Sequence, residues 1–201
     1  MPGRTTKDTA KSQPAGAKFT IPVRLEVLSK YEGLGAEGWA GARPGRCSIS
    51  VMDIPIRQRL AMDVLPEQYQ AIRSLWIAHS KAEDGRDLQG LIDTLSEDCV
   101  YELVPSGHRW EGHEGARRFY TEFLSAFPDV HFDLTDIVIG PQGVIQVATL
   151  TGTFRGPWLG TPPTGEAVSE TIVISFPWDP QAQRFAGERV VVASRSLLGS
   201  G

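Results

Sequence analysis

The sequence of 201 residues is poor in cysteine, with only Cys47 and Cys99, which lie far apart. Two distant cysteines form neither a disulfide framework nor a zinc-ligand pattern. The four histidines are scattered, with no carboxylate at ligand spacing, so we predict no metal site. We interpret Cys99, within Asp98-Cys99-Val100-Tyr101, as a small buried residue and expect a reducing, cytoplasmic setting.

Long apolar runs and an excess of basic residues are also missing. No stretch approaches the roughly 20 apolar residues of a membrane-spanning helix, and no apolar segment follows the basic residues near the N-terminus. We therefore expect no membrane partner and no signal peptide. The formal net charge of −4 argues against nucleic acid as a partner, since nucleic-acid binders usually carry a basic patch. Hydrophobic residues make up 41% of the chain, enough for a core.

The chain divides into two parts by composition. Residues 1–64 are predicted to form an N-terminal extension, partly disordered, because its first part is rich in small and polar residues and glycines interrupt the rest. Residues 65–199 are predicted to form one domain. Its helices begin near Pro66 and at an Asp87 cap, and a third helix spans residues 113–127. Alternating strands follow, which together predict an α+β fold.

An ordered set of motifs carries a family resemblance. It comprises Trp110-Glu111-Gly112-His113-Glu114-Gly115, Phe119-Tyr120, Ala126-Phe127-Pro128-Asp129, Thr151-Gly152-Thr153, Trp158-Leu159-Gly160 and Pro163-Thr164-Gly165. This order resembles the SnoaL-like polyketide cyclase (ester cyclase) family of the NTF2-like superfamily. The resemblance implies a cone, in which a curved antiparallel sheet wraps around helices and encloses an apolar pocket for a small hydrophobic molecule. It also implies homodimers or larger oligomers through the sheet face, and no cofactor.

The resemblance further implies ring closure by an aldol reaction, in which a carboxylate removes a proton beside a carbonyl group. The family typically has this aspartate on the last strand, five residues after a glutamate. On the register set by Glu188, the aspartate position is Ala193, and Val191 stands where a tyrosine is common. Alanine cannot accept a proton, so another base is needed if this chain is an enzyme.

Two glutamates are our candidate catalytic bases. Glu170 has the strand parity of Val168 and Ile172, and it either faces the cavity or lies at its solvent-exposed rim. Glu102 either faces the pocket or pairs with Arg109 across a hairpin, where an exposed ion pair contributes little stability.

Further residues are candidates for contact with a substrate. His79 lies on the apolar stripe of a helix and is alternatively a core histidine with satisfied hydrogen bonds. Arg189 either meets a carbonyl or anionic ligand or pairs with Glu170. The full set of substrate-binding candidates, mostly aromatic, is Trp76, His79, Tyr101, Trp110, Trp158, Arg189 and Ala193.

Three classes of function stay open at this point. The first is a cofactor-free cyclase or isomerase with a non-standard base. The second is a catalytically silent protein that binds a small molecule in the pocket. The third is an oligomerisation or partner-binding module that uses the open sheet face, which a large exposed apolar patch would favour.

Overall fold

A computed structural model of the protein describes residues 54–104 and 106–192. Most of the predicted extension, and Ala193, lie outside these ranges. The description of the fold below concerns these two ranges.

The helices begin and end where the sequence places its signals. Pro66 starts the longest helix in its first turn, and the Asp87 carboxylate accepts a hydrogen bond (3.0 Å) from the Gly90 amide at the start of the next one. Pro128 follows directly on the residue that caps the last helix. The described helices are α1 (Ile56–Leu60), α2 (Pro66–Asp84), α3 (Leu88–Ile92) and α4 (Gly112–Ala126).

Six strands form one sheet in the order β2-β1-β6-β5-β4-β3. Neighbouring strands are antiparallel except β1 and β6, which are parallel, so the sheet is mixed where we expected it to be antiparallel throughout. The α+β class is confirmed. The strands are β1 (Leu95–Val104), β2 (Arg109–Glu111), β3 (His131–Gly140), β4 (Gly143–Thr153), β5 (Ala167–Asp179) and β6 (Arg184–Val192).

One face of the sheet packs against the helices and forms the core. Along β5, Val168, Ile172, Ile174 and Phe176 alternate with more exposed residues, as expected when one face of a strand is buried. The apolar side of α4 lies over this face and packs mainly on β1. The phase change predicted in β3 is a register shift between Leu134 and Asp136, where the strand bends.

Gly187 determines how β6 approaches β1. It lies opposite Val100 at an irregularity of the ladder and has φ of 112°. A Cβ atom at this position would collide with the Val100 carbonyl group, so a close approach of the strands requires glycine. The next residue, Glu188, is thereby placed beside Tyr101 of β1.

Candidate active site

Five polar side chains meet in the core between α2, α4 and the sheet. They come from α2 (His79), the turn before β1 (Thr94), β1 (Tyr101), α4 (Tyr120) and β6 (Glu188). All are at most 4% exposed. A buried polar group is costly unless it is hydrogen-bonded, and this cluster satisfies its members with one another.

One oxygen of Glu188 is the centre of this buried cluster. Its Oε1 atom lies 3.0 Å from His79 Nε2 and accepts hydrogen bonds from the hydroxyl groups of Tyr101 (2.8 Å) and Tyr120 (2.6 Å). The two hydroxyl groups are 2.7 Å apart, and Tyr120 Oη is 3.1 Å from His79 Nε2. Within the described ranges, Glu188 Oε2 has no hydrogen-bond partner, although Oε1 has three.

The hydrogen bond between Thr94 and the His79 ring determines that Nδ1 carries a proton. The Thr94 hydroxyl donates its one hydrogen to the Leu91 carbonyl oxygen (2.6 Å), so its oxygen acts as an acceptor toward His79 Nδ1 (2.7 Å). Nδ1 therefore donates to Thr94. The contact between His79 Nε2 and Glu188 Oε1 then needs one shared proton, as either an imidazolium–carboxylate pair or an imidazole–carboxylic acid pair.

The two tyrosines act as proton donors in this cluster. Burial, together with the nearby Glu188 carboxylate, raises the pKa of Tyr101 and of Tyr120 well above the ordinary value for a phenol. Both hydroxyl groups therefore keep their hydrogens at neutral pH and hold Glu188 in one position.

A small apolar cavity of about 30 Å³ lies beside the cluster. Two carboxyl groups, those of Glu83 and Glu188, lie in its lining. The remaining lining residues are apolar and include Phe119, Phe123, Leu150, Trp158, Ile174 and Val190. An apolar lining with a few polar groups is typical of sites for small hydrophobic molecules.

Glu83 follows His79 by one turn of α2 and is half-buried. Part of its surface is accessible, yet protein atoms surround its carboxyl group. Burial, the Glu188 carboxylate and Asp84 raise the pKa of Glu83 to about 8, while Arg86 acts in the opposite direction. Below that pH, Glu83 is a neutral carboxylic acid.

A family model described as SnoaL-like polyketide cyclase matches residues 69–179, more than half of the chain. The chain belongs to this family. Its members bind small molecules, and the fold described above is theirs. A comparison with curated protein sequences finds no match. In the described part of this SnoaL-like chain, no helix is both long enough and apolar enough to span a membrane.

Solved structures share the fold of this SnoaL-like chain. A proposed SnoaL-like polyketide cyclase from Jannaschia sp. CCS1 is 21% identical, with a TM-score of 0.55, and the match covers 70% of this chain and 99% of that one. IdmH, a proposed polyketide cyclase from Streptomyces antibioticus, is 20% identical, with a TM-score of 0.51 and coverage of 63% and 95%. AclR, a proposed hydroxylase from Streptomyces galilaeus, is 23% identical, with a TM-score of 0.51 and coverage of 63% and 77%. At these identities the likeness concerns the fold alone.

The structure places Glu102 and Arg189 away from the pocket, contrary to our assignment of both to the site. In β1 the buried residues Cys99, Tyr101 and Leu103 alternate with Glu102, which therefore lies on the outer face of the sheet. Its carboxylate accepts a hydrogen bond (2.9 Å) from Arg189 Nε of the neighbouring strand. Glu102 thus pairs with Arg189 and not with Arg109, although Arg109 is its register partner in β2.

Glu170 and Trp76 lie on the inner side of the sheet but are not among the residues that line the pocket. Glu170 is half-buried on β5, opposite Leu150, and none of the described residues hydrogen-bonds its side chain. Trp76 donates a hydrogen bond (3.0 Å) to the Gln146 side chain.

The other aromatic candidates gather around the pocket. Trp158, on the loop between β4 and β5, lines it and stacks on Trp110, with ring centroids 6.2 Å apart. His79 and Tyr101 belong to the buried cluster behind the Glu188 carboxylate. Ala193 lies outside the described residues. Sequence reasoning did not select Glu83, Tyr120 or Glu188 as site residues.

Proposed function

We propose that this SnoaL-like chain is a cofactor-free cyclase or isomerase that acts on a small hydrophobic molecule with an enolisable carbonyl group. The observation that carries the proposal is the Glu188 carboxylate at the edge of an apolar pocket. In the imidazolium–carboxylate form of the His79–Glu188 pair, three donors hold Glu188 Oε1, while Oε2 has no partner within the described ranges. Glu188, in place of an aspartate at position 193, is then the base.

The geometry supports different roles for the two carboxylate oxygens of Glu188. His79, Tyr101 and Tyr120 fix the carboxyl group in one rotamer, so its second oxygen meets a bound substrate at a defined place. The apolar lining keeps water away from the reacting atoms and strengthens the electrostatic interactions there. Both effects favour removal of a proton from carbon next to a carbonyl group.

Exchange of substrate hydrogen with solvent deuterium tests this function. We expect the wild-type protein to exchange the hydrogens beside the carbonyl group of at least one polycyclic ketone in a panel, followed by NMR. Glu188→Gln is expected to slow the exchange by about 10²–10⁴-fold, because the amide cannot accept the proton. Ligand binding, measured as a rise in melting temperature, is expected to persist in both proteins.

Glu170→Gln provides the matched control, because Glu170 faces the same side of the sheet from the neighbouring strand. Exchange lost in Glu170→Gln but kept in Glu188→Gln would move the base to Glu170. A ketone that raises the melting temperature of the wild-type protein without exchange above the buffer rate would contradict the enzyme and favour the silent binding protein.

We further propose that the chain forms homodimers through the outer face of the sheet. Three apolar side chains on this face are widely exposed: Val138 (61%), Ile145 (50%) and Val191 (46%). Val138 and Ile145 are direct partners in the β3–β4 ladder and form a continuous apolar surface. The contact would remove these side chains from water.

The double variant Val138→Lys/Ile145→Lys tests the dimer, since charges on an apolar contact oppose its burial. We expect dimers for the wild-type protein and monomers for this variant in light scattering coupled to size exclusion. Thr121→Lys, on the exposed side of α4, is the control and is expected to stay dimeric. A wild-type protein that is monomeric at all concentrations would contradict the proposed homodimer.

A further inference from the structure

The second carboxyl group of the pocket belongs to Glu83, which differs from Glu188 in its surroundings. Glu188 has two tyrosine hydroxyl donors on one oxygen, and His79 is a third in the imidazolium–carboxylate form of the pair. No described residue gives the Glu83 carboxyl group a hydrogen bond or an ion pair, although Glu83 lines the same apolar pocket. One turn of α2 separates it from His79, which itself contacts Glu188.

Two carboxylates in one apolar pocket cannot both be charged without a large cost, because desolvation and mutual repulsion act together. The donors favour the negative charge on Glu188, since hydrogen bonds to a carboxylate stabilise its charged form. Glu83 lacks such donors in the described ranges and is therefore the group that keeps a proton. The raised pKa of Glu83 has the same causes, with Asp84 adding to the effect and Arg86 opposing it. The Tyr120 hydroxyl faces the pair from α4.

We propose that Glu83 is a second catalytic residue, whose carboxylic acid donates a hydrogen bond and then its proton to the carbonyl oxygen of an enolisable ketone or ester. This inference rests on the proposed function, in which Glu188 removes the proton from carbon. It assigns the two carboxyl groups opposite roles, acid and base, in one pocket.

The step balances in atoms and charge. Glu188 Oε2 takes the hydrogen from the carbon beside the carbonyl group, and the electron pair of the broken C–H bond forms the C=C bond of an enol. The carbonyl π electrons move to oxygen, which takes the proton of Glu83. Glu188 becomes a carboxylic acid and Glu83 a carboxylate, so the pocket keeps one negative charge. An apolar pocket favours a step that creates no additional charge.

The proposal also defines the substrate class. A substrate that reacts with both carboxyl groups has a carbonyl group and a hydrogen on the carbon next to it. The rest of the molecule is apolar, as the pocket lining requires. A hydrocarbon of the same shape leaves Glu83 without an acceptor, and a buried donor without an acceptor is costly. Ketones are therefore expected to bind more tightly than the matching hydrocarbons.

The protonation of Glu83 is tested without any substrate. Infrared difference spectra between the wild-type protein and Glu83→Gln are expected to contain the carbonyl band of a protonated carboxyl group at about pH 6 and to lose it at about pH 10. Glu67→Gln, at an exposed glutamate at the start of the same helix and outside the pocket, is the matched control. A Glu83 that is ionised at about pH 6 would overturn the proposal whatever the catalytic results are.

The catalytic role is tested with the ketone that the wild-type protein exchanges. Glu83→Gln keeps a donor but cannot transfer a proton, and we expect it to slow exchange by about 10–10²-fold and to remove the decline of the wild-type rate above about pH 8. Glu83→Leu, which has no donor, is expected to slow exchange further. Wild-type rates and pH profile in both variants, with loss in Glu188→Gln, would overturn the role of Glu83 and leave the proposed function intact. Absence of exchange in the wild-type protein on every ketone would overturn both.

Discussion

Replacement of Glu188 by leucine is expected to lower the free energy of unfolding by about 3–5 kcal/mol. The leucine would leave His79 Nε2 and the hydroxyl groups of Tyr101 and Tyr120 around an empty acceptor position in the core. A buried donor that loses its acceptor costs the full desolvation of that group, and here several donors lose the same one. Denaturant unfolding at neutral pH measures the change as a shift of the midpoint.

Two further variants make the Glu188 experiment specific. Glu188→Gln keeps an acceptor oxygen near the position of Oε1, so we expect a loss of only about 1–2 kcal/mol. Glu170→Leu removes a half-buried glutamate that none of the described residues hydrogen-bonds, and we expect a change of about 0.5 kcal/mol or less in either direction. Equal effects of Glu188→Leu and Glu170→Leu would contradict the buried cluster and, with it, the fixed orientation of the base.

The fold was predictable from the sequence where local chemistry decides it. Pro66 and Asp87 each have a local reason to start a helix, and Pro128 has one to end it, so the signals and the structure agree. The parallel pairing of β1 with β6 was not predictable in this way. These strands are far apart in the chain, and α4 and four other strands lie between them, so only the complete sheet determines their neighbours.

On β6, the residues selected by register with the family differ from the residues that line the pocket. Register with the family directed attention to Arg189 and Ala193, whereas Glu188, Val190 and Val192 line the pocket and Arg189 lies on the outer face. Strand alternation alone leaves open which side faces the helices. The position of Gly187 opposite Val100 settles it, and that contact depends on the pairing with β1.

Glu83 and Tyr120 escaped prediction for different reasons. Tyr120 lies on the apolar side of its helix, where a core role is the ordinary expectation, but its hydroxyl group reaches Glu188. Glu83 follows His79 by four residues and continues the helical stripe that contains Trp76 and His79. This spacing is a sequence signal that points to Glu83. A glutamate near a helix end is usually exposed, so only a pocket that closes around it reveals its role.

The stability of the wild-type protein relative to Glu83→Gln is expected to fall as the pH rises from about 4.5 to about 8. Folded Glu83 keeps its proton up to a pKa of about 8, whereas a glutamate in the unfolded chain loses it near the ordinary value of 4.5. Between these two values the folded state binds more protons than the unfolded state, so unfolding releases a proton and becomes easier with rising pH. The contribution of Glu83 is fully present below about pH 4.5 and is lost by about pH 8. Each tenfold difference in proton affinity corresponds to about 1.4 kcal/mol, and since the side chain is partly accessible we expect a total loss of about 2–4 kcal/mol.

The comparison of variants separates Glu83 and the groups coupled to it from the other titrating groups. Glutamine is neutral at all pH values, so the difference in unfolding free energy between wild type and Glu83→Gln changes with pH through Glu83 and the groups coupled to it. Glu67→Gln, at an exposed glutamate outside the pocket, is the control, and an equal pH dependence in this variant would show that the effect does not come from the pocket. Parallel stability curves for wild type and Glu83→Gln between about pH 5 and about pH 9 would mean that Glu83 is ionised in the folded protein. The pocket would then hold two negative charges, and the assignment of an acid and a base to its two carboxyl groups would fail.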